Sequence, residues 1–346
     1  MNNLREIAQK FKTEQDFAVY ENEPMAQRFS FKVGGITPLL IEPLTENALI
    51  SALTFLKQKK VPYFVLGGGT NIVFSDQGFD GVVLSTVKLN KIEVVSEVSG
   101  KSDVAKADAR KKDDAREDGE KNCIDGQMQD GEVVLRCQCG VLMNTLVNFC
   151  TKNCYTGLEQ FCGLPGTVGG ACYMNARCFD REISDVAGNI GYFDEGTGCA
   201  DCDVKVLEYD KNLWAYKKSP FTDTEKIVLY AEFRVKKTSA DKKDAIQSAA
   251  SLFMKERVEK GHFKFPCAGS VFKNNHDFGR PTGKIIDELG LKGYSIGDAQ
   301  IAPWHGNIII NKGKATQSQI SQLVEYIKAQ ALEKFGFKLE EEIIFK

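Results

Sequence analysis

The run "FVLGGGTNIVFSD", residues 64–76, decides how this chain is read. An apolar, strand-like segment ends in Gly67, Gly68 and Gly69, passes through Thr70 and Asn71, and returns to β-branched residues. Glycine lets backbone approach a ligand closely but costs entropy on folding. Three in succession at a strand end suit a phosphate or a flat polar group lying on the main chain. A P-loop needs Lys-Ser or Lys-Thr after its last glycine, and Thr70-Asn71 stand there instead. A dinucleotide fingerprint opens a helix directly after the first strand of a βαβ unit. Here the glycines follow a second strand, "ITPLLIEP" (36–43) being the first, and "NIVFSDQGFDGVVLS" continues as strand, turn and strand. A tight turn between strands is the competing reading of the loop taken alone.

Between the two strands, "TENALISALTFLKQKK" (45–60) predicts a helix. Thr45 is its N-cap, and Ala48, Leu49, Ala52, Leu53, Phe55 and Leu56 form its apolar face. The 346 residues suffice for two or three domains with sizeable cores. A net charge of −2 offers no basic excess for nucleic acid or an acidic membrane. The charged, amphipathic N-terminal stretch "MNNLREIAQKFKTEQDF" does not read as a signal peptide, and no apolar run reaches spanning length. A cytoplasmic protein is expected, with eleven cysteines held as thiols. Cys137 and Cys139 read as small buried hydrophobes sharing one face of a strand. Cys199-x-x-Cys202 is half of a zinc pattern with no second half, so no metal is expected.

Further along, "KSDVAKADARKKDDAREDGEK" (101–121) carries seven basic and seven acidic residues and almost nothing apolar. It reads as a solvated insertion between strands "KIEVV" and "EVVLRCQC". An amphipathic helix, "VLMNTLVNFCTKNC", leads to a second glycine-rich stretch, "GLEQFCGLPGTVGGACYMNARCFDREISDV" (157–186). Alternating segments then read as an antiparallel sheet. The helix "DAIQSAASLFMKERVEK" opens a new unit from about residue 240. The helix "GKIIDELGL", the strand "NIIINKG" and a long helix follow, the last with Ile320, Leu323, Val324, Ile327 and Leu332 at helical spacing. The class is α+β in three units.

Two glycine-rich loops about ninety residues apart resemble the FAD-binding domain of the vanillyl-alcohol-oxidase (PCMH) type. There the diphosphate lies on main-chain amides, which form an anion concavity. "FKVGG" (31–35), "PCAGSVFKNN" (266–275), "LGLKGYSIGDAQIAPWHGNIIIN" (289–311) and "LEEEI" (339–343) extend the likeness over nearly the whole chain. Together they are similar to the UDP-N-acetylenolpyruvoylglucosamine reductase (MurB) family. The resemblance implies a PCMH-type FAD-binding domain in two subdomains, residues 1–88 and 89–237, plus a MurB-type substrate domain at 238–338. The strand 339–346 would return to the active site.

It also implies non-covalent FAD, NADPH as co-substrate, and reduction of an enolpyruvyl ether of UDP-N-acetylglucosamine in peptidoglycan precursor synthesis. Cell-wall biogenesis, cell shape, the cell cycle and division would depend on that step. None of His262, His276 and His305 lies in a glycine loop, which disfavours a histidine tether for the flavin. A monomer with a small-molecule substrate and neither nucleic acid nor membrane as partner is expected. The alternatives are another flavin oxidoreductase of the same fold, or a weakly active flavin or UDP-sugar binder.

By position in the family motifs, Gly67, Gly68, Gly69, Thr70, Asn71, Gly163, Pro165, Gly166, Thr167, Gly169, Gly170 and Asn175 would bind the cofactor. Ser270 would be the proton donor and Glu342 the second acid, although Glu341 stands where the family has proline. The family's Tyr-Arg-x-Ser reads Tyr216-Lys217-Lys218-Ser219 here, so Lys217 keeps the charge and loses the planar fork. Arg177 is a second candidate for the arginine's role. Tyr216, Lys260, Asn274 and Lys292 would contact the sugar nucleotide, and His305 reads as a packed core histidine.

Overall fold

The computed structural model describes residues 2–97, 131–194 and 204–346. The charged insertion and the Cys199-x-x-Cys202 pair lie outside the described residues.

The N-terminal stretch folds as helix α1 (Asn2–Lys12), followed by β1 (Phe17–Pro24), β2 (Ile36–Pro43), α2 (Glu46–Gln58), β3 (Tyr63–Leu66), β4 (Ile72–Val73) and β5 (Val82–Ser85). The segment "ITPLLIEP" is therefore not the first strand. β1 pairs antiparallel with β2, which lies parallel to β5, and β5 parallel to β3. Thr45 caps α2 as expected, its hydroxyl accepting from the Ala48 N–H at 3.1 Å.

A second, antiparallel sheet runs in the order 204–207, 187–194, 226–237, β7 (Glu132–Gln138) and β6 (Ile92–Glu97). β6 and β7 pair directly, so the insertion joins two neighbouring strands. Helix α3 (Met143–Lys152) and the short α4 (Val168–Tyr173) pack with this sheet in the larger core. Cys137 and Cys139 are buried there together. Burial pushes the Cys139 thiol up to about 12, as it does those of Cys150 and Cys172.

Helix α5 (Lys243–Glu259) places Ala250, Phe253 and Met254 on this same core, so it sides with the flavin-type half. The other large core gathers α6 (Thr282–Glu288), the three-stranded sheet 295–296, 299–301 and 309–311, and α7 (Gln317–Phe335). On α7, Ile320, Leu323, Val324, Ile327 and Ala331 are buried, whereas Leu332 is exposed. Ala331 follows Ile327 by four residues and continues the stripe; Leu332 falls one step round the helix.

Phe31 and Val33 of "FKVGG" and Val73 of β4 also belong to that core. The C-terminal strand Ile344–Phe345 closes the joint by pairing parallel with β4, Ile344 opposite Ile72. Among the described residues no helix is long and apolar enough to cross a membrane.

Candidate active site

The two glycine loops meet. A Cβ on Gly68 would lie 2.7 Å from Gly166 Cα, and one on Gly166, at φ +103°, would lie 2.7 Å from Thr70 Oγ1. Any side chain at Gly68 would push the loops apart, which is the physical demand behind the glycine. Among the described residues, the backbone N–H groups of Gly67, Gly68, Gly69, Thr70 and Asn71 donate to no backbone carbonyl, nor do those of Gly166 and Thr167. Thr167 Oγ1 is buried without a partner among the described residues. A cradle of undirected amides plus one orphaned hydroxyl fits the diphosphate of a flavin dinucleotide. Pro165 precedes Gly166 and fixes the backbone there. Gly169 and Gly170 sit on α4, and Gly169 packs on Cys139, where a Cβ would come within 2.8 Å of the cysteine's own. Gly163, at φ +76°, donates its N–H to Asn144 Oδ1 at 3.1 Å.

Asn175 is fully buried and its side chain is engaged within the protein. Its Nδ2 donates to Glu182 Oε2 (2.8 Å) and to the Ala215 carbonyl (2.9 Å), and its Oδ1 accepts from the Ser184 N–H (3.0 Å). It acts as a strut that ties the second glycine-rich stretch to the turn bearing Tyr216 and Lys217, and that turn is a two-residue loop closed by Ala215 and Lys218.

Three segments converge beyond the loops. Ser270 sits half-buried after Gly269, where a Cβ would meet nothing within 4 Å. The open space there leaves the serine approachable. The peptide of Glu342 donates to the Val271 carbonyl at 2.7 Å, bringing the glutamate's backbone beside the segment that bears the serine. From the other side Lys217 Nζ donates to Glu342 Oε1 at 2.5 Å, both side chains about one-tenth exposed. Burial raises the Glu342 pKa above its ordinary value, against the opposing pull of Lys217. The three glutamates separate, although only Ile344–Phe345 form a strand here: Glu341 reaches Lys328 on α7 at 2.9 Å, while Glu340 pairs with Lys273 and is largely exposed.

Arg177 is not drawn into this group. It is exposed and contacts Glu182 (3.4 Å) and the Phe179 carbonyl (3.3 Å). Tyr216 Oη accepts from the Asn274 N–H at 3.3 Å, joining two expected substrate residues across the halves of the molecule. Asn274 Oδ1 accepts from the Thr282 N–H at the start of α6. Lys260 pairs with Glu256 (2.5 Å) and Lys292 with Asp287 (2.8 Å). Both lysines lie close enough to His305 to depress its pKa, which burial lowers foremost. His305 is half-buried, and its Nδ1 accepts from the Asn307 N–H at 3.2 Å.

Sequence reasoning missed Arg257. Its Nε is buried with no partner among the described residues, and Nη1 donates to Cys178 Sγ at 3.3 Å. The signal was its spacing: it falls three and four residues after Met254 and Phe253, on the inward face of α5.

Fold and site are those of a flavin-dependent oxidoreductase that uses FAD. Comparison with known proteins agrees. The family pattern described as "UDP-N-acetylenolpyruvoylglucosamine reductase, C-terminal domain" matches residues 261–346, and that described as "FAD binding domain" matches residues 37–109. A UDP-N-acetylenolpyruvoylglucosamine reductase of Treponema denticola is 39% identical, covering 100% of this chain and 98% of its own. One from Borreliella burgdorferi is 34% identical over 94% of this chain and 93% of its own. The crystal structure of the reductase MurB from Thermus caldophilus superposes with a TM-score of 0.68 at 25% identity, covering 95% of this chain and 99% of that one. The chain belongs to the UDP-N-acetylenolpyruvoylglucosamine reductase family.

Proposed function

We propose that the chain reduces UDP-N-acetyl-3-O-(1-carboxyvinyl)-glucosamine to UDP-N-acetylmuramate at the expense of NADPH. The carrying observation is the convergence of Ser270, Glu342 and Lys217 next to the glycine cradle. When bound, the flavin supplies hydride transfer. Gly67, Gly68, Gly69, Thr70, Gly166 and Thr167 offer the amides and hydroxyls that hold its diphosphate. The raised thiol pKa of Cys162 and Cys172, both shifted by burial, disfavours thiolates there and supports a non-covalent flavin.

Hydride addition at the vinyl terminus leaves negative charge on the enolate next to the substrate carboxylate, and the adjacent carbon must gain a proton. Ser270 delivers it in this reading, and Glu342, whose pKa burial raises against the pull of Lys217, takes part in restoring the serine. Lys217 offsets charge on the carboxylates as the reaction turns. In this reading Lys260 and Lys292, both near His305, serve the diphosphate, and Tyr216 and Asn274, which touch each other, serve the sugar nucleotide. Residues 1–88 and 89–237 form the flavin-holding units, and the sugar nucleotide is held mainly by the unit that ends near residue 338. The reading makes the chain a cytoplasmic monomer of peptidoglycan precursor synthesis, with cell shape and division depending on its product.

The test is anaerobic single-turnover kinetics on Ser270→Ala. NADPH should reduce the bound flavin at nearly the wild-type rate, because that half-reaction does not require the serine's proton. Reoxidation by the enolpyruvyl substrate should slow by at least about 10²–10⁴-fold. Equal slowing of both halves would mean that Ser270 places the flavin instead.

A further inference from the structure

We propose that Asn71 is a positioning residue for the catalytic acid, and that the loop receiving the flavin thereby sets the aim of Glu342. The inference rests on the reading of Glu342 as an acid of the reductase reaction. Asn71 ends the first glycine loop, where a cofactor contact is the obvious assignment. Its side chain is committed elsewhere, with Nδ2 donating to the Glu342 carbonyl at 2.8 Å. Its own carbonyl accepts from the Ile344 N–H at 2.9 Å, so the same residue grips the C-terminal segment twice. The grip continues through β4, where the Lys346 N–H donates to the Val73 carbonyl (3.1 Å) and the Ser75 N–H to the Lys346 carbonyl (2.6 Å).

The opposite side of the C-terminal segment is held by the extended stretch that bears Ser270. The Glu342 N–H donates to the Val271 carbonyl, and the Lys273 N–H to the Glu340 carbonyl at 2.9 Å. Asn307 fixes that stretch in turn, exchanging two hydrogen bonds with the Phe272 backbone (2.9 and 2.8 Å). The residue bearing the acid therefore has its N–H tied to the stretch that bears Ser270 and its C=O tied to the flavin loop. With both fixed, rotation about the Glu342 backbone is restricted, and its side chain is aimed at Lys217. Displacements of about 1 Å in such a constellation can cost on the order of 10²-fold in rate.

The test uses the flavin-loaded enzyme and three variants: Asn71→Ala, the isosteric Asn71→Asp, which lacks the donor, and Glu342→Gln. Asn71→Ala and Asn71→Asp should each slow reoxidation by the enolpyruvyl substrate about 10- to 100-fold. Any change in NADPH-driven reduction or in the FAD dissociation constant should be clearly smaller than the loss in reoxidation. In a Glu342→Gln background, Asn71→Ala should add less than about twofold, because the group it aims is gone. Additive losses would overturn the proposal, as would equal slowing of NADPH reduction or a large fall in FAD affinity. Failure of both Asn71 variants to load flavin would overturn it as well, returning the residue to cofactor binding. If Glu342→Gln left reoxidation unchanged, the acid assignment would fail first, and that outcome is separable from the others.

Discussion

Lys217 and Glu342 are 125 residues apart in sequence, and their side chains form an ion pair at 2.5 Å with only about a tenth of each exposed. Lys217 reaches this position from a left-handed backbone, φ +56°, at the second residue of its tight loop. A non-glycine residue in that region carries strain, and the ion pair is what a side chain there gains. Replacing Lys217 with Met should leave Glu342 buried without its cation. Its pKa, already raised by burial, should rise further, because the lowering contribution of Lys217 is lost. Substrate-driven reoxidation should slow by about 10²–10³-fold, and the pH profile of that step should move to higher pH. Lys217→Arg should retain most of the rate. A Met variant with an unshifted profile would show that the pair does not govern the step.

Asn175 joins three segments from a fully buried position, and its backbone is also left-handed at φ +44°. Asn175→Ala strands the Ser184 N–H and the Ala215 carbonyl and puts a less tolerant residue in that conformation. Urea unfolding should show a loss of roughly 2–4 kcal/mol. KM for the sugar nucleotide should rise with it, since the Tyr216 loop loses its anchor. A loss below about 0.5 kcal/mol would mean that water replaces the amide.

Much of this architecture is legible in local sequence. The cap and stripe of α2 and the burial of Cys137 and Cys139 each follow from residues a few positions apart, and the strands β6 and β7 from apolar runs on either side of a charged insertion. β1 was hidden because "FAVYENEP" is a half-buried edge strand without clean alternation. The family motifs supplied Ser270, Glu342 and Lys217, but motif order says nothing of which side chains meet. The ion pair, the Asn71 bond to Glu342 and the partnerless Nε of Arg257 arise from long-range packing, which has no local period to read. Arg177 illustrates the converse: a plausible charge in the right motif that the fold turns toward Glu182 and the surface.

His262 lies beside Arg257, His305 and Lys260, and burial followed by the Arg257 charge lowers its pKa from 6.5 to about 4. The unfolded chain thus takes up the proton at higher pH than the folded one. Stability from this group is fully present above pH 6.5 and is lost as pH falls toward about 4. Carboxylates titrate in part of the same window, so the comparison is with His262→Gln. Between pH 7 and 5 the wild type should lose more unfolding free energy in urea than the variant does. Parallel curves would show that the imidazole protonates in the folded protein as it does in water.

Thr167 occupies the N-cap of α4, where a threonine hydroxyl ordinarily accepts from the helix backbone, yet it makes no capping bond. The hydroxyl is instead buried without a partner among the described residues, 2.7 Å from where a Cβ on Gly67 would sit. It therefore lies between the two glycine loops, where the proposed reading puts the cofactor. Thr167→Val keeps the shape and removes the hydroxyl, and its two effects should have opposite signs. The flavin-free protein should become more stable by about 1–2 kcal/mol, because an unsatisfied buried group is deleted. FAD should bind about tenfold more weakly, because the hydrogen bond made on loading is lost. Thermal unfolding of the flavin-free protein and a flavin fluorescence titration measure the two separately. Destabilisation of the flavin-free form would show that the hydroxyl already has a partner there. Unchanged FAD affinity would show that the cofactor does not meet it.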